Sequence, residues 1–215
     1  MSLTEIYSAN GWFFTTVFLS LSVISVYLIV WRQIKNMRAH TDVDVFTDTM
    51  QQQLQAGGPQ AAFQWLKQTW EQNQDSVVPQ VFMTMFEEGH RGKAATRDAM
   101  LDRIEMDLLP ELQKKLPTIL LFAKVAPMVG LLGTVSGMIG AFQAIASATK
   151  VNPGDLAEDI GMALFTTAEG LIIAIPLIFA YTIFRERVHR FEIELQRGSQ
   201  AALKMLPQIH GQPVR

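Results

Sequence analysis

The stretch TTAEGLIIAIP, Thr166 to Pro176, places a carboxylate, Glu169, inside an apolar run extending from Ile160 to Phe184. An ionisable group at the centre of a bilayer costs roughly 2.5–3.5 kcal/mol, so its presence asks for a role. Two chemistries suit it. Glu169 can be protonated or hydrogen-bonded at a helix or subunit interface, for example to Thr166 or to a hydroxyl of another segment, and so fix packing. Alternatively it relays a proton or ligates an ion. An earlier apolar run carries Thr134 and Ser136. Their hydroxyls can bond their own backbone four residues back. Lys124, close to the start of that run, can snorkel to the interface. Other chemistry is poorly supplied. His40, His90, His189 and His210 lie outside these runs and far apart. No His–x₃–His pair, phosphate loop or nucleophile elbow occurs, and neither run holds the Ser/His or Asp/Asp pair of an intramembrane protease. No catalysis, cofactor or metal site is expected.

The elements that must position Glu169 and the hydroxyls are three long apolar segments. The chain has 215 residues, 49% of them hydrophobic and only 18% charged, against about 25% charged in an average soluble domain. Its net charge of −2 gives no basic excess for nucleic acid, and with no cysteine there is neither a disulfide framework nor a thiolate metal site. Gly11 to Trp31 carries no charge. Ile119 to Thr149 is interrupted only by Lys124, and Ile160 to Phe184 only by Glu169. A helix needs about 20 apolar residues to cross a bilayer core, and each run is long enough. Trp12 and Trp31 bracket the first as interfacial anchors, roughly 28 Å apart at about 1.5 Å per residue.

The flanks set an orientation. Only Glu5 carries side-chain charge before the first run, whereas Arg32, Lys35 and Arg38 follow it, so an uncleaved anchor is expected rather than a signal peptide. Lys114 and Lys115 precede the second run, and Arg185, Arg187 and Arg190 follow the third. The loop KVNPGDLAED has one Lys against Asp155, Glu158 and Asp159. Basic flanks favour the cytoplasm. The expected plan is a periplasmic N-terminus (1–10), transmembrane helix 1 (11–31), a cytoplasmic helical domain (32–118), transmembrane helix 2 (119–148), a short periplasmic loop (149–158), transmembrane helix 3 (159–184) and a cytoplasmic helical tail (185–215).

Helical periodicity fills the segments between. Val43, Phe46, Met50 and Leu54 share a face, as do Phe63, Leu66 and Trp70, and Val78, Phe82 and Met85. Gly57-Gly58 before Pro59 and the stretch Asn73 to Pro79 read as breaks. Leu101, Ile104, Leu108 and Leu112 form a stripe on a helix running toward the second span, with Pro110 able to bend it. Phe184, Val188, Phe191 and Leu195 continue the third span. The expected fold class is therefore an all-α integral membrane protein with three transmembrane helices, the second and third extending into a cytoplasmic helical domain. A frayed tail is expected from Pro207.

The second span is suited to close packing. Gly130, Gly133, Gly137 and Gly140 recur at three- and four-residue steps. In lipid, small residues let helix backbones approach, because hydrophobic burial no longer drives association. Pro127 and Pro176 sit inside spans and can kink them.

The run APMVGLLGTVSGM, Ala126 to Met138, followed by IGMALFTTAEGLIIAIP, Ile160 to Pro176, resembles the ExbB/TolQ/MotA family of proton-channel proteins, most nearly its ExbB/TolQ branch. The resemblance in residues covers about Ile119 to Phe184, and the topology extends it over nearly the whole chain. It implies a homopentamer in a bacterial inner membrane, surrounding the helices of an ExbD/TolR-type single-span partner whose intramembrane Asp carries the proton. It further implies work passed to a TonB/TolA-like protein across the periplasm. Thr134 and Thr167 match the family's pore-facing hydroxyls. ExbB proteins carry a Glu five residues before the second of these threonines, where this chain has Met162. Its carboxylate is Glu169, two residues after Thr167. Two positions on a helix are about 200° apart, so Thr167 and Glu169 cannot face one wall. Met162, Thr166, Glu169 and Ile173 share the other stripe. A passive membrane scaffold with no ion conduction of its own is the rival reading.

Overall fold

The computed structural model describes residues 11–147 and 152–210, and every described element is helical. In chain order these are α1 (Gly11–Ala39), α2 (Val43–Gln72), α3 (Val78–Glu88), α4 (Lys93–Asp102), α5 (Leu109–Gln113), α6 (Leu116–Ser147) and α7 (Pro153–His210). A 3₁₀ turn at Gly89–Arg91 joins α3 to α4, and a π-helical turn at Arg103–Leu108 joins α4 to α5. Three helices among the described residues are long and apolar enough to cross a membrane. The side chains of Trp12, Asp155 and His210, and all of residues 1–10, 148–151 and 211–215, lie outside the described residues, so the Trp12 anchor and the loop charges Lys150 and Asp155 fall there.

The chain divides into two compact units. The first comprises the chain up to Trp31 with Lys115–Ile183. Phe18 and Leu21 of α1 are buried with Ala126 of α6 and Ala174 of α7, and Phe14, Val17, Phe122, Val129 and Ile173 close around them. Many of this unit's other large apolar side chains point outward, among them Leu131, Val135, Ile139, Leu171, Ile172 and Phe179. Exposed apolar bulk beside a small-residue interior is the pattern lipid or neighbouring helices demand. Pro127 and Pro176 are both accommodated without ending their helices.

The second unit comprises Arg32–Lys114 and the chain from Phe184 onward. Asp42 caps α2, its carboxylate accepting from the amides of Asp44 (3.0 Å) and Val45 (3.2 Å). Gly58 adopts φ 71° within α2, a conformation open to glycine, and Pro59 behind it lacks the amide to carry the ladder through. The α2 chain ends at Asn73, whose side-chain amide donates to the Arg38 carbonyl at 2.7 Å, and α3 starts with Pro79 in its first turn. Both breaks expected from the sequence are therefore present. The stripes at Val43–Leu54, Val78–Met85 and Phe184–Leu195 are buried, and Phe46 meets Phe82 edge-on at 5.1 Å. Gly198 of α7 sits against Val43, Val78 and Phe82.

Three sequence expectations are corrected. Phe63 is exposed, its ring 5.4 Å from that of Phe86, and Ala62, four residues before Leu66, takes the interior position. The stripe ending at Leu112 does not run unbroken into the second span. Its helix stops at Gln113, Lys115 adopts φ 70°, and α6 begins at Leu116. A left-handed residue cannot continue a right-handed helix. Helix continues through Pro207 to His210, held by the buried Met205, Leu206 and Ile209. The third span, by contrast, runs on into its tail within one helix, as expected.

Arg32 secures the break. Its guanidinium is 2% exposed and donates to the carbonyls of Leu112 and Lys114, groups left without helical partners where α5 stops. Burial pulls its pKa down to about 10. Beside it, Lys35 pairs with Asp75 at 2.7 Å.

Candidate functional site

The polar centre of the first unit is a contact between α6 and α7 built almost without side chains. A Cβ placed on Gly130 would lie 2.8 Å from the Thr166 carbonyl oxygen and 2.9 Å from the Thr167 Cα. One on Gly133 would lie 2.6 Å from the Thr166 hydroxyl, and one on Gly137 2.7 Å from the Ala163 Cβ. Three of the four glycines singled out in the sequence thus place the α6 backbone directly on α7. Gly140 has nothing within 4 Å. Gly170 answers from the other helix, where a Cβ would lie 2.5 Å from the Ala126 carbonyl oxygen.

This proximity brings three hydroxyls together. Thr134 and Thr167, which came from separate sequence motifs, meet at 2.5 Å between their Oγ1 atoms. The Thr134 hydroxyl also lies within donating distance of the Ala163 carbonyl (3.0 Å) and its own Gly130 carbonyl (3.3 Å). One hydroxyl has one proton, so these contacts are alternatives. If Thr134 donates to a carbonyl, Thr167 donates to Thr134; if Thr134 donates to Thr167, the Thr167 proton is free to turn outward. Both side chains are half-buried. They can therefore pass a hydrogen-bond polarity from one helix to the other while keeping one edge accessible.

Thr166 was given too small a part by the sequence reading. It is buried, and its hydroxyl lies within donating distance of Gly130 O across the contact (3.0 Å) and of Ala163 O within its helix (2.7 Å), so its one proton is shared between these acceptors. The signal was available: Ala163, Thr166, Gly170 and Ala174 recur at three- and four-residue steps, a small-residue stripe facing the glycines of α6. Glu169 is half-buried, directly before Gly170 of this stripe in the sequence and two residues after Thr167. Ser136 and Lys124 are exposed. Among the described residues no group of His, Asp and Glu is arranged to hold a metal ion.

Residues 71–197 match the MotA/TolQ/ExbB proton channel family, well over half of the chain and all of the glycine–threonine contact. The chain belongs to that family. It is accordingly a multi-pass membrane protein of a channel family. Among curated proteins, the Tol-Pal system protein TolQ of Haemophilus influenzae is 34% identical over 123 residues, covering 53% of this chain and 54% of TolQ. The biopolymer transport protein ExbB of Salmonella typhimurium is 38% identical over 84 residues, 39% of this chain and 34% of its own length. The Vibrio cholerae protein exbB1 is 44% identical over 59 residues, 27% of this chain and 26% of its own. The similarity thus reaches about half the length of these relatives or less. Matches to both ExbB and TolQ proteins place this family member with that branch.

Proposed function

We propose that this protein is an ExbB/TolQ-like stator subunit of an inner-membrane motor driven by the proton-motive force. With an ExbD/TolR-type single-span partner it forms a proton channel, and the work is delivered across the periplasm to a TonB/TolA-like protein. The subunit is a homopentamer with a periplasmic N-terminus and cytoplasmic 32–118 and C-terminal segments. The observation that carries the reading is the Thr134–Thr167 hydroxyl pair, set within the apolar spans of a channel-family chain. In a ring of subunits these pairs make a hydroxyl belt. A hydroxyl both donates and accepts, so the belt can meet the partner's Asp in either protonation state. One charge crossing about 100 mV releases roughly 2.3 kcal/mol, so a few protons are enough for a conformational stroke.

One observation favours the rival scaffold reading. The same hydroxyls have acceptors inside the subunit, so they can serve packing alone. Reconstituting the subunit with its partner in vesicles under a pH gradient separates the two. The motor reading expects partner-dependent proton flux that Thr134→Val with Thr167→Val abolishes and the two Ser replacements preserve, with unchanged oligomer size. Glu169→Gln separates the two roles of that carboxyl: retained flux with unchanged oligomer size assigns it to an interface, and lost flux with the oligomer intact assigns it to the relay. Full flux in the double valine variant would end the motor reading, and absence of flux in every form would favour the scaffold.

A further inference from the structure

A groove of about 670 Å³ opens in the second unit, lined by α3, by the stretch from α4 into the π-helical turn, and by Trp70 near the end of α2. Its apolar surface comes from Trp70, Met83, Ala99 and Met106. Met106 is 73% exposed, although methionine is among the residue types most often buried. The charged part of the lining is acidic: Glu87, Glu88, Asp102 and Asp107 stand against one guanidinium, that of Arg103. Arg103 pairs with Asp107 at 2.6 Å, and Arg91, outside the lining, pairs with Glu88 at 2.8 Å. With both pairs counted, Glu87 and Asp102 still have no cation within ion-pair distance among the described residues. The groove thus keeps two unmatched negative charges beside exposed apolar surface. Arg103, Met106 and Asp107 belong to the π-helical turn, and single π turns within helices are frequent at functional sites.

We propose that this groove docks a basic polypeptide segment of another protein, one with Lys or Arg on either side of a large apolar residue. Charge selects the class of partner. Nucleic acid and anionic lipid bring phosphates, which the two unmatched carboxylates repel. A metal ion is not served either, because no group of His, Asp and Glu among the described residues is arranged to hold one. Size points the same way, since pockets of about 300–1,000 Å³ enclose ligands of many atoms rather than a single ion. The apolar residue of the segment covers Met83 and Met106, whose flexible thioethers adapt to side chains of different shape. Its flanking cations meet Glu87 and Asp102. The inference is independent of proton conduction.

The test uses the full chain in phosphatidylcholine nanodiscs. A random peptide library displayed on phage is depleted on the Glu87→Gln/Asp102→Asn double variant and then selected on the unaltered protein. Fluorescein-labelled copies of the recovered peptides are titrated by fluorescence anisotropy, with spermine as a competitor. The recovered peptides should carry Lys or Arg around a large apolar residue and saturate at one per chain. Their affinity should fall about tenfold in the double variant and weaken as salt rises. Met106→Gln should weaken them while leaving the salt dependence in place. Both carboxylates are exposed, so the double variant should fold; if it does not, Asp102→Asn and Met106→Gln decide. Recovery of no peptide, recovery of peptides without basic residues, or unchanged affinity in the folded variants overturns the proposal. So does spermine binding as tightly as the peptides, which assigns the groove to a polyamine, or a smaller oligomer in the double variant, which assigns it to a second copy of this chain.

Discussion

Gly170→Ala is the sharpest test of the α6–α7 contact. The added methyl carbon would lie 2.5 Å from the Ala126 carbonyl oxygen and 3.2 Å from both the Ala126 carbonyl carbon and the Pro127 Cα. These are backbone atoms of a helix and cannot rotate away. The helices must separate by several tenths of an ångström to restore ordinary contact. Overpacking of this kind costs about 1–3 kcal/mol. Separation also lengthens the cross-helix bonds Thr166 to Gly130 O and Thr134 to Ala163 O, and membrane hydrogen bonds are worth about 0.6 kcal/mol each. The expected loss is therefore about 2–4 kcal/mol, less up to about 1 kcal/mol regained because alanine favours helix over glycine. Gly140→Ala is the internal control. It adds the same methyl to the other helix where nothing lies within 4 Å, so it should be neutral or slightly stabilising. Thermal unfolding of the purified protein in detergent, followed by circular dichroism, reads the difference. Equal melting temperatures for the two variants would refute the packing argument.

Thr166→Val keeps the shape of the buried side chain but removes the donor to Gly130 O and Ala163 O, and should cost about 0.6–1.7 kcal/mol in the same unfolding assay. Lys115→Gly relieves a left-handed backbone at φ 70° and should stabilise by about 1 kcal/mol, read as a rise in melting temperature. Burial raises the pKa of Glu194, with Asp42 adding to the shift and His40, Arg197 and Arg190 opposing it. Its folded form thus prefers the proton, and the stability it contributes is present below the ordinary glutamate pKa and lost as pH rises through the raised value. Glu194→Gln should therefore raise the melting temperature at neutral pH and leave it nearly unchanged in acid; a pH-independent difference would contradict this.

Much of the fold could be read from the residues, and the misses have local causes. Uncharged length marked the three spans, and three-to-four periodicity marked the faces of α2, α3 and α7, because burial acts on those patterns directly. Phe63 was misplaced because Ala62 and Phe63 both sit at helical spacing from Leu66, four and three residues before it, and periodicity does not say which of two such neighbours faces inward. The helix break at Lys115 was hidden because lysine gives no sign of a left-handed backbone. It forms where Arg32, 82 residues earlier than Lys114, accommodates the loose carbonyls. At the candidate site the glycines and the two threonines were legible as separate motifs. That Thr134 and Thr167 touch was not, since their register depends on which small residues of α7 oppose which glycines of α6.

The glycine contact also restricts movement. Gly130, Gly133, Gly137 and Gly170 let one backbone rest on the other only at those positions. An axial slip of one residue, about 1.5 Å, would carry Thr166 and Ala163 off the glycines they face and drive their side chains against backbone that has no space for them. Helices α6 and α7 therefore have no gradual gliding mode within the membrane and behave there as a single plank. A force applied to either is borne by both, and any working stroke must tilt or turn the plank whole.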